Sequence, residues 1–105
     1  MRILFDHGTP KPLRKLLVGH EIRTAYEEGW SAYSNGSLLS AAETAGFEAL
    51  LTTDQNLRYQ QNLTSRKIAI FVLPTTKWPE IRMHITEISA AIKSLPPGEY
   101  REITW

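Results

Sequence analysis

The sequence predicts an α/β fold: a three-layer α/β/α arrangement around a mainly parallel sheet of about five strands. Apolar runs typical of buried strands alternate along the chain with stretches in which apolar residues recur at helical spacing. The strongest run, residues 67–73, is nearly all apolar, as expected for a strand covered on both faces. Alternation of strands and helices is typical of parallel sheets with helices on both sides.

The first half of the chain contains three predicted strands and two predicted helices. Pro10 and Pro12 mark the start of a short helix, and Gly19 fits its carboxyl-terminal cap. The stretch at residues 34–37 supplies an N-cap candidate for the second helix, which stops at Gly46. The predicted strands cover residues 2–6, 20–25 and 47–53, and the helices cover about 10–18 and 36–45.

The second half begins with a polar stretch, residues 56–62, that we interpret as a short helix or a loop. The strand at 67–73 ends at Pro74, and Pro79 opens a helix that runs to about residue 94. Residues 100–105 alternate polar and apolar side chains, which predicts an edge strand.

Composition limits the possible classes of protein. A chain of 105 residues is long enough for one domain, which we expect to cover residues 1–105. No apolar run approaches the roughly 20 residues that span a bilayer, no leader peptide is evident, and cysteine is absent. We therefore expect a cytoplasmic protein without a membrane partner. The formal net charge of +1 does not by itself indicate nucleic-acid binding.

Two aspartates are the most informative residues for function. Asp6 and Asp54 each close an apolar run that predicts a buried strand. In open α/β sheets, ligands bind in the crevice outside the carboxyl ends of the strands. Two acids delivered there suggest a site for a divalent metal and hydrolytic chemistry on phosphodiesters. The alternative for both residues is a structural one, in which they cap the turns that follow the strands.

Basic residues cluster near both aspartates in the sequence. Arg14 and Lys15 lie, with Lys11, in the predicted helix after Asp6, and Arg58 follows Asp54. If the two strand ends are neighbours, these cations could ring the acidic site and contact phosphate groups. The alternative is that they are solvated on helix surfaces.

Four motifs resemble those of small PIN-like proteins of the toxin type. They are the opening MRILFDHGTP, the stretch EGWS at residues 28–31, the pair NG followed by LL at residues 35–39, and LLTTDQNL with YQQNL at residues 50–63. The resemblance covers nearly the whole chain. It implies a PIN-like fold with an acidic pocket at the carboxyl ends of the strands, in which carboxylates hold Mg²⁺ or Mn²⁺ and the metal activates a water against RNA. It also implies a small antitoxin protein as partner.

Carried over to this sequence, the resemblance assigns catalysis and metal binding to Asp6 and Asp54, with Asn56 as a further metal ligand. Ser37 stands where related sequences commonly carry Glu, and we consider it a substrate-binding or water-orienting residue. His7 is a candidate for contact with the substrate phosphate. The first hypothesis is thus a metal-dependent ribonuclease. The alternative is a degenerate, non-catalytic PIN-like module that binds RNA or an antitoxin-like partner, which Ser37 favours.

Two further features concern partners. A polar patch at residues 59–62 could bind single-stranded RNA or could be a surface helix. Trp30 and Trp78 could anchor a protein partner, with core burial the alternative for Trp30. The predicted edge strand at 100–105 could pair with a second copy of the chain in a homodimer.

Overall fold

The fold is built on a five-stranded sheet in which all neighbouring strands are parallel. A computed structural model describes residues 1–57 and 66–105, and the sheet order is β2-β1-β3-β4-β5. This confirms the predicted α/β class and the predicted number of strands. The strands are β1 (Arg2–Phe5), β2 (Glu21–Thr24), β3 (Ala49–Thr52), β4 (Ala69–Val72) and β5 (Tyr100–Glu102).

Three α-helices and two 3-10 helices are present in the described residues. The α-helices are α1 (Asn35–Thr44), α2 (Trp78–Ile81) and α3 (Ile85–Ser94), and the 3-10 helices are Lys11–Leu16 and Arg82–His84. The helix predicted over residues 10–18 is thus a shorter 3-10 helix. Pro12 removes a backbone donor in its first turn, and no side chain caps that turn, so the α form gains little here.

The helix predicted over residues 79–94 is divided into two α-helices. The 3-10 segment Arg82–His84 separates them, and His84 leaves the helical region with φ −121° and ψ 28°. Ile81 on α2 and Ile88 and Ile92 on α3 are nevertheless all buried in the same core cluster. The sequence therefore predicted the extent of the helical segment but not the break within it.

Two separate hydrophobic cores cover the two faces of the sheet. In β1, Ile3 and Phe5 join one core, and Leu4 joins the other, as the period of two in a strand requires. The first core is completed by the 3-10 helix Lys11–Leu16 and by α3, and the second by α1. The three-layer arrangement is therefore confirmed.

The connections of β1 create a switch point in the sheet. The chain leaves β1 for β2 on one side, whereas the other neighbour of β1 is β3. At such a point the connections diverge to opposite sides and open a crevice at the carboxyl ends of the strands. The residues that follow β1 and β3 are Asp6 and the Thr53–Asp54 pair, so both predicted acids belong to this crevice.

Several other predictions concern surfaces. Trp30 and Trp78 are both half-buried and pack against the two cores. The strand β5 lies at the edge of the sheet, and its pairing with a second copy stays a prediction. The polar patch at 59–62 lies outside the described residues. Within the described ranges, no helix has the length and apolar character needed to cross a membrane.

Candidate functional site at the carboxyl ends of β1 and β3

Asp6 follows β1 directly and is held by three hydrogen bonds to its carboxylate. The Thr52 hydroxyl donates to Oδ2, while the Thr9 hydroxyl (2.8 Å) and the Gly8 backbone N–H (3.2 Å) approach Oδ1. The backbone N–H of Asp6 donates to the Leu51 carbonyl at 3.2 Å, which continues the pairing of β1 with β3. The position of the carboxylate is therefore fixed from both strands.

Burial raises the pKa of Asp6 above its ordinary value of 3.8. The hydrogen bonds from Thr52, Thr9 and Gly8 and the charge of His7 act in the opposite direction without cancelling this effect. The Thr9 hydroxyl also lies 2.7 Å from the Leu51 carbonyl, and a hydroxyl has one proton to donate. Both contacts of Thr9 are best satisfied when Asp6 carries a proton. The site thus holds a carboxyl group whose ionised form is only partly compensated by its hydrogen bonds.

The loop after β1 packs tightly onto the end of β3. A Cβ added at Gly8 would lie 2.2 Å from the Thr53 hydroxyl oxygen, which is closer than non-bonded atoms approach. Glycine at this position therefore allows the loop to sit against Thr53 and to present its N–H to Asp6.

Asp54 is oriented by α1 and by its own turn. The Asn35 side-chain amide donates to Oδ2 at 2.7 Å, and the Asn56 backbone N–H donates to Oδ1 at 2.9 Å. The second bond is the capping contact that the structural interpretation of Asp54 predicted, and it exists together with the tertiary bond to Asn35. A carboxylate has about four lone-pair sites, so these two bonds leave capacity for a further ligand.

Thr52 connects the two acids. Its hydroxyl accepts a hydrogen bond from the Asp54 backbone N–H at 3.0 Å and donates to the Asp6 carboxylate. Thr52 is 1% exposed, so this linkage is shielded from water. Asp6 and Asp54 are therefore parts of one hydrogen-bonded unit at the switch point.

The sequence interpretation missed Thr9, Thr52 and Asn35 as site residues. In the sequence Asn35 stands out only as part of an Asn-Gly pair, whereas the structure places it in the first turn of α1 with its amide on Asp54. The signal available in the sequence was the N-cap candidate in residues 34–37, which predicts where a helix begins but not what the helix end contacts. The contact joins residues 19 positions apart and depends on the packing of α1 against the sheet.

The other polar candidates lie around the two acids. His7 is exposed and lines a cleft of about 180 Å³ together with Asp6. Asn56 is exposed in the turn after Asp54, and its backbone, rather than its side chain, makes the described contact. Ser37 is exposed in the first turn of α1, where its hydroxyl and its backbone N–H both meet the Ser34 hydroxyl.

The basic candidates divide into three cases. Both terminal nitrogens of Arg14 donate to the Glu27 carboxylate, so the guanidinium forms an ion pair within the protein and is not free to contact phosphate. Lys15 is exposed and has no ion-pair partner among the residues that the structure describes. Arg58 lies outside the described residues.

The electrostatic setting of the two acids is unusual for this protein. Across residues 1–57 and 66–105, neither Asp6 nor Asp54 has a salt-bridge partner, and no group of three His, Cys, Asp or Glu side chains converges. Glu43, the nearest acid on α1, pairs with Arg66 instead. The donors to the two aspartates are neutral hydroxyl, amide and backbone groups. The two aspartates can therefore bind a cation or a proton with charge that no described basic residue neutralises.

No family model, no curated protein and no solved structure matches this chain.

Proposed function

We propose that this chain is a PIN-like domain that binds Mg²⁺ or Mn²⁺ between Asp6 and Asp54 and hydrolyses RNA phosphodiesters, as the toxin of a toxin–antitoxin pair. The observation that carries the proposal is the unit Asp6–Thr52–Asp54 at the switch point of the sheet. Its two carboxylates meet only neutral donors within the described residues. The resemblance of the sequence motifs to PIN-like toxins supplies the choice of RNA and of an antitoxin partner.

The donor set suits a small hard cation. Mg²⁺ prefers oxygen ligands, keeps several waters, and is commonly held by one or two carboxylates together with substrate phosphates. Asp6 and Asp54 provide the carboxylates, the Asn35 side-chain amide contacts Asp54, and Asn56 follows Asp54 in the same turn and would supply a further amide oxygen. A bound ion of this kind lowers the pKa of a coordinated water and neutralises charge that develops on a phosphate.

The residues of the chain would prepare the site for that ion. Asp6 must lose its proton before it can act as a ligand, and its raised pKa means that metal affinity increases as the pH rises through that pKa. Thr52 and Gly8 keep the carboxylate aimed into the crevice during this change. Asn35 holds Asp54 so that the two acids approach the ion from different strands.

The test is a calorimetric titration with Mn²⁺ and Mg²⁺, followed by an RNA cleavage assay on the same samples. Wild type is compared with Asp6→Ala/Asp54→Ala. The control is Glu21→Ala/Glu99→Ala, which removes two charges at the opposite edge of the sheet. We expect wild type and the control to bind metal and to cut RNA, and the aspartate variant to do neither. Absence of both activities from wild type at millimolar metal would overturn the proposal.

A second candidate is a non-catalytic PIN-like module that binds RNA or an antitoxin-like protein. The observation that favours it is the identity of the residues in the first turn of α1. Asn35, a neutral amide, meets Asp54, and Ser37 stands where an acid would add a third carboxylate. The variant Ser37→Glu discriminates between the two candidates. Metal binding and cleavage that appear only in Ser37→Glu would establish the binding-module interpretation for the natural chain.

A further inference from the structure

A second surface begins at Asp6 and continues away from the acidic unit. The cleft of about 180 Å³ that holds Asp6 and His7 is also lined by Lys11 and Tyr26. A second cleft, of about 320 Å³, is lined by the same two residues and by Lys15. The two clefts therefore adjoin at Lys11 and Tyr26, beside the carboxyl end of β2, and we describe them together as one groove.

Tyr26 presents an aromatic ring to solvent in the middle of this groove. It is 72% exposed, and the Lys11 ammonium lies 5.4 Å from the centre of its ring, within the range of a cation–π contact. The backbone beside it is fixed, because the Ala25 N–H donates to the Phe5 carbonyl at 2.9 Å. An exposed ring on a fixed backbone next to a cation is a suitable surface for stacking a base.

Arg14 and Glu27 hold the turn that carries Tyr26. Glu27 accepts from both terminal nitrogens of Arg14 and from the Thr24 backbone N–H at 2.9 Å, and the Glu27 N–H donates to the Thr24 hydroxyl at 3.1 Å. The hydrogen bond from Arg14 lowers the pKa of Glu27 to about 2, so the pair persists at neutral pH. Arg14 is thus a positioning residue, and Lys11 and Lys15 are the cations that face the groove.

We propose that this groove, which we call the Tyr26 groove (His7, Lys11, Lys15 and Tyr26), binds single-stranded RNA that leaves the acidic site across the carboxyl end of β2. A base stacks on Tyr26, and Lys11 and Lys15 contact the backbone phosphates. The inference rests on the proposed function, because it extends the path of the same substrate away from Asp6. The groove would set the direction in which the RNA runs from Asp6, which the positions of Asp6 and Asp54 alone do not determine.

A single strand fits these features better than a duplex. The base faces of a duplex are stacked on one another, so an isolated exposed ring has no free base to meet. Both lysines line the second cleft, where they offer two positive charges to a strand that crosses it. Aromatic stacking with adjacent cations is typical of surfaces that bind single strands with little sequence preference.

The test measures RNA binding separately from cleavage. A short fluorescein-labelled oligouridine is titrated with the full-length protein in EDTA, and binding is followed by fluorescence anisotropy. Tyr26→Ala should weaken binding by at least about fivefold, the lower limit for removal of one base–aromatic stack. Tyr26→Phe, which keeps the ring, should bind as wild type does.

The lysines are tested by the salt dependence of the same binding. Lys11→Ala/Lys15→Ala should reduce the slope of log affinity against log salt by about 0.7 for each phosphate that the protein no longer neutralises. The control Lys67→Ala/Lys93→Ala removes the same charge from exposed positions at the opposite edge of the sheet and should leave the slope near that of wild type.

The outcomes separate this inference from the proposed function. Weaker binding by Tyr26→Ala and a lower slope for the groove lysines support the groove, even in a protein that cuts no RNA with metal present. Wild type that binds no oligouridine overturns the groove, as does equal binding by Tyr26→Ala and Tyr26→Phe. A slope that falls equally in the groove variant and the control would also overturn it, because net charge alone would then explain binding.

Discussion

Acidic residues at the amino ends of the strands differ in their partners from the two aspartates at the carboxyl ends. At the amino ends of the strands, Arg2 pairs with Glu21 at 3.2 Å and donates to the Ala45 carbonyl, and its guanidinium lies 4.4 Å from the centre of the Phe47 ring. At the same edge Glu43 pairs with Arg66 at 2.8 Å. At the carboxyl ends, the described partners of the two aspartates are neutral.

The ion pairs at the amino ends stabilise the fold, whereas the charges of Asp6 and Asp54 remain available to bind a ligand. The pair Arg2–Glu21 joins β1 to β2, and the pair Arg66–Glu43 joins α1 to the segment before β4, so these charges are compensated within the protein. At the carboxyl edge, hydrogen bonds orient Asp6 and Asp54 without neutralising them. A fold gains no stability from such uncompensated acids, which is why we assign the function to this edge.

The largest expected effect is on activity at the carboxyl edge. Asp54→Asn keeps a group that can bond to Asn35 but removes the negative charge, so metal affinity should fall by at least about 100-fold and RNA cleavage should be lost. Calorimetry and a cleavage assay measure both. Glu48→Gln, an exposed acid at the amino edge, serves as control. Undiminished cleavage by pure Asp54→Asn would remove Asp54 from the site.

The next effect concerns stability at the amino edge. Glu43→Ala removes a carboxylate that binds the Arg66 side chain and the Lys67 backbone N–H, and it should cost about 1–3 kcal/mol of unfolding free energy in urea denaturation. The exposed Glu99→Ala is the control and should change stability by less than about 0.5 kcal/mol. An equally small effect for both variants would contradict a structural role for this edge.

The contribution of Glu43 should depend on pH. Burial alone would raise the pKa of Glu43, but the hydrogen bonds from Arg66 and Lys67 outweigh it and lower the pKa below 4.5. The stabilising effect of the ionised group is therefore complete above pH 4.5 and is lost as the pH falls through the lowered pKa. Denaturation curves of wild type and Glu43→Ala should accordingly converge in acid.

Asp6→Asn should change the pH dependence of stability. Because burial raises the pKa of Asp6, ionisation of this group costs stability. The stability that the protonated wild-type group retains below pH 3.8 is lost as the pH rises through the raised pKa, and the neutral variant does not have this loss. The stability of Asp6→Asn relative to wild type should therefore increase as the pH rises, which urea denaturation at several pH values measures. A relative stability that does not change with pH would contradict the assigned desolvation cost.

The smallest effect is expected for Glu21→Ala. The carboxylate is 65% exposed, and an exposed ion pair contributes at most about 0.5 kcal/mol in most proteins. Thermal unfolding at low and high salt measures this change, which should disappear at high salt. A larger, salt-independent loss would mean that the exposed pair supports the amino edge as strongly as Glu43 does.

The sequence predicted features that depend on local chemistry. Apolar runs located β1, β3 and β4, alternation of polar and apolar residues located β2 and β5, and the aspartates after β1 and β3 predicted where the polar unit lies. Relations between distant segments were not accessible in the same way. Asn35 reaches Asp54 only because α1 packs on the sheet, and Arg14 meets Glu27 only after β2 brings their segments together. The tertiary structure determines which acid a basic residue pairs with, and this pairing cannot be read from the sequence alone.

The described residues of the acidic unit all lie in the first half of the chain, between Asp6 and Asp54. During synthesis, this half emerges before β4 exists. The strand β3 is buried on both faces in the folded protein. Until β4 is synthesised, the edge of β3 that pairs with β4 has no partner. A chain interrupted after residue 57 would therefore contain the acidic unit beside an apolar strand edge that can pair with other chains. Such fragments should precipitate, and the functional residues would be lost with them.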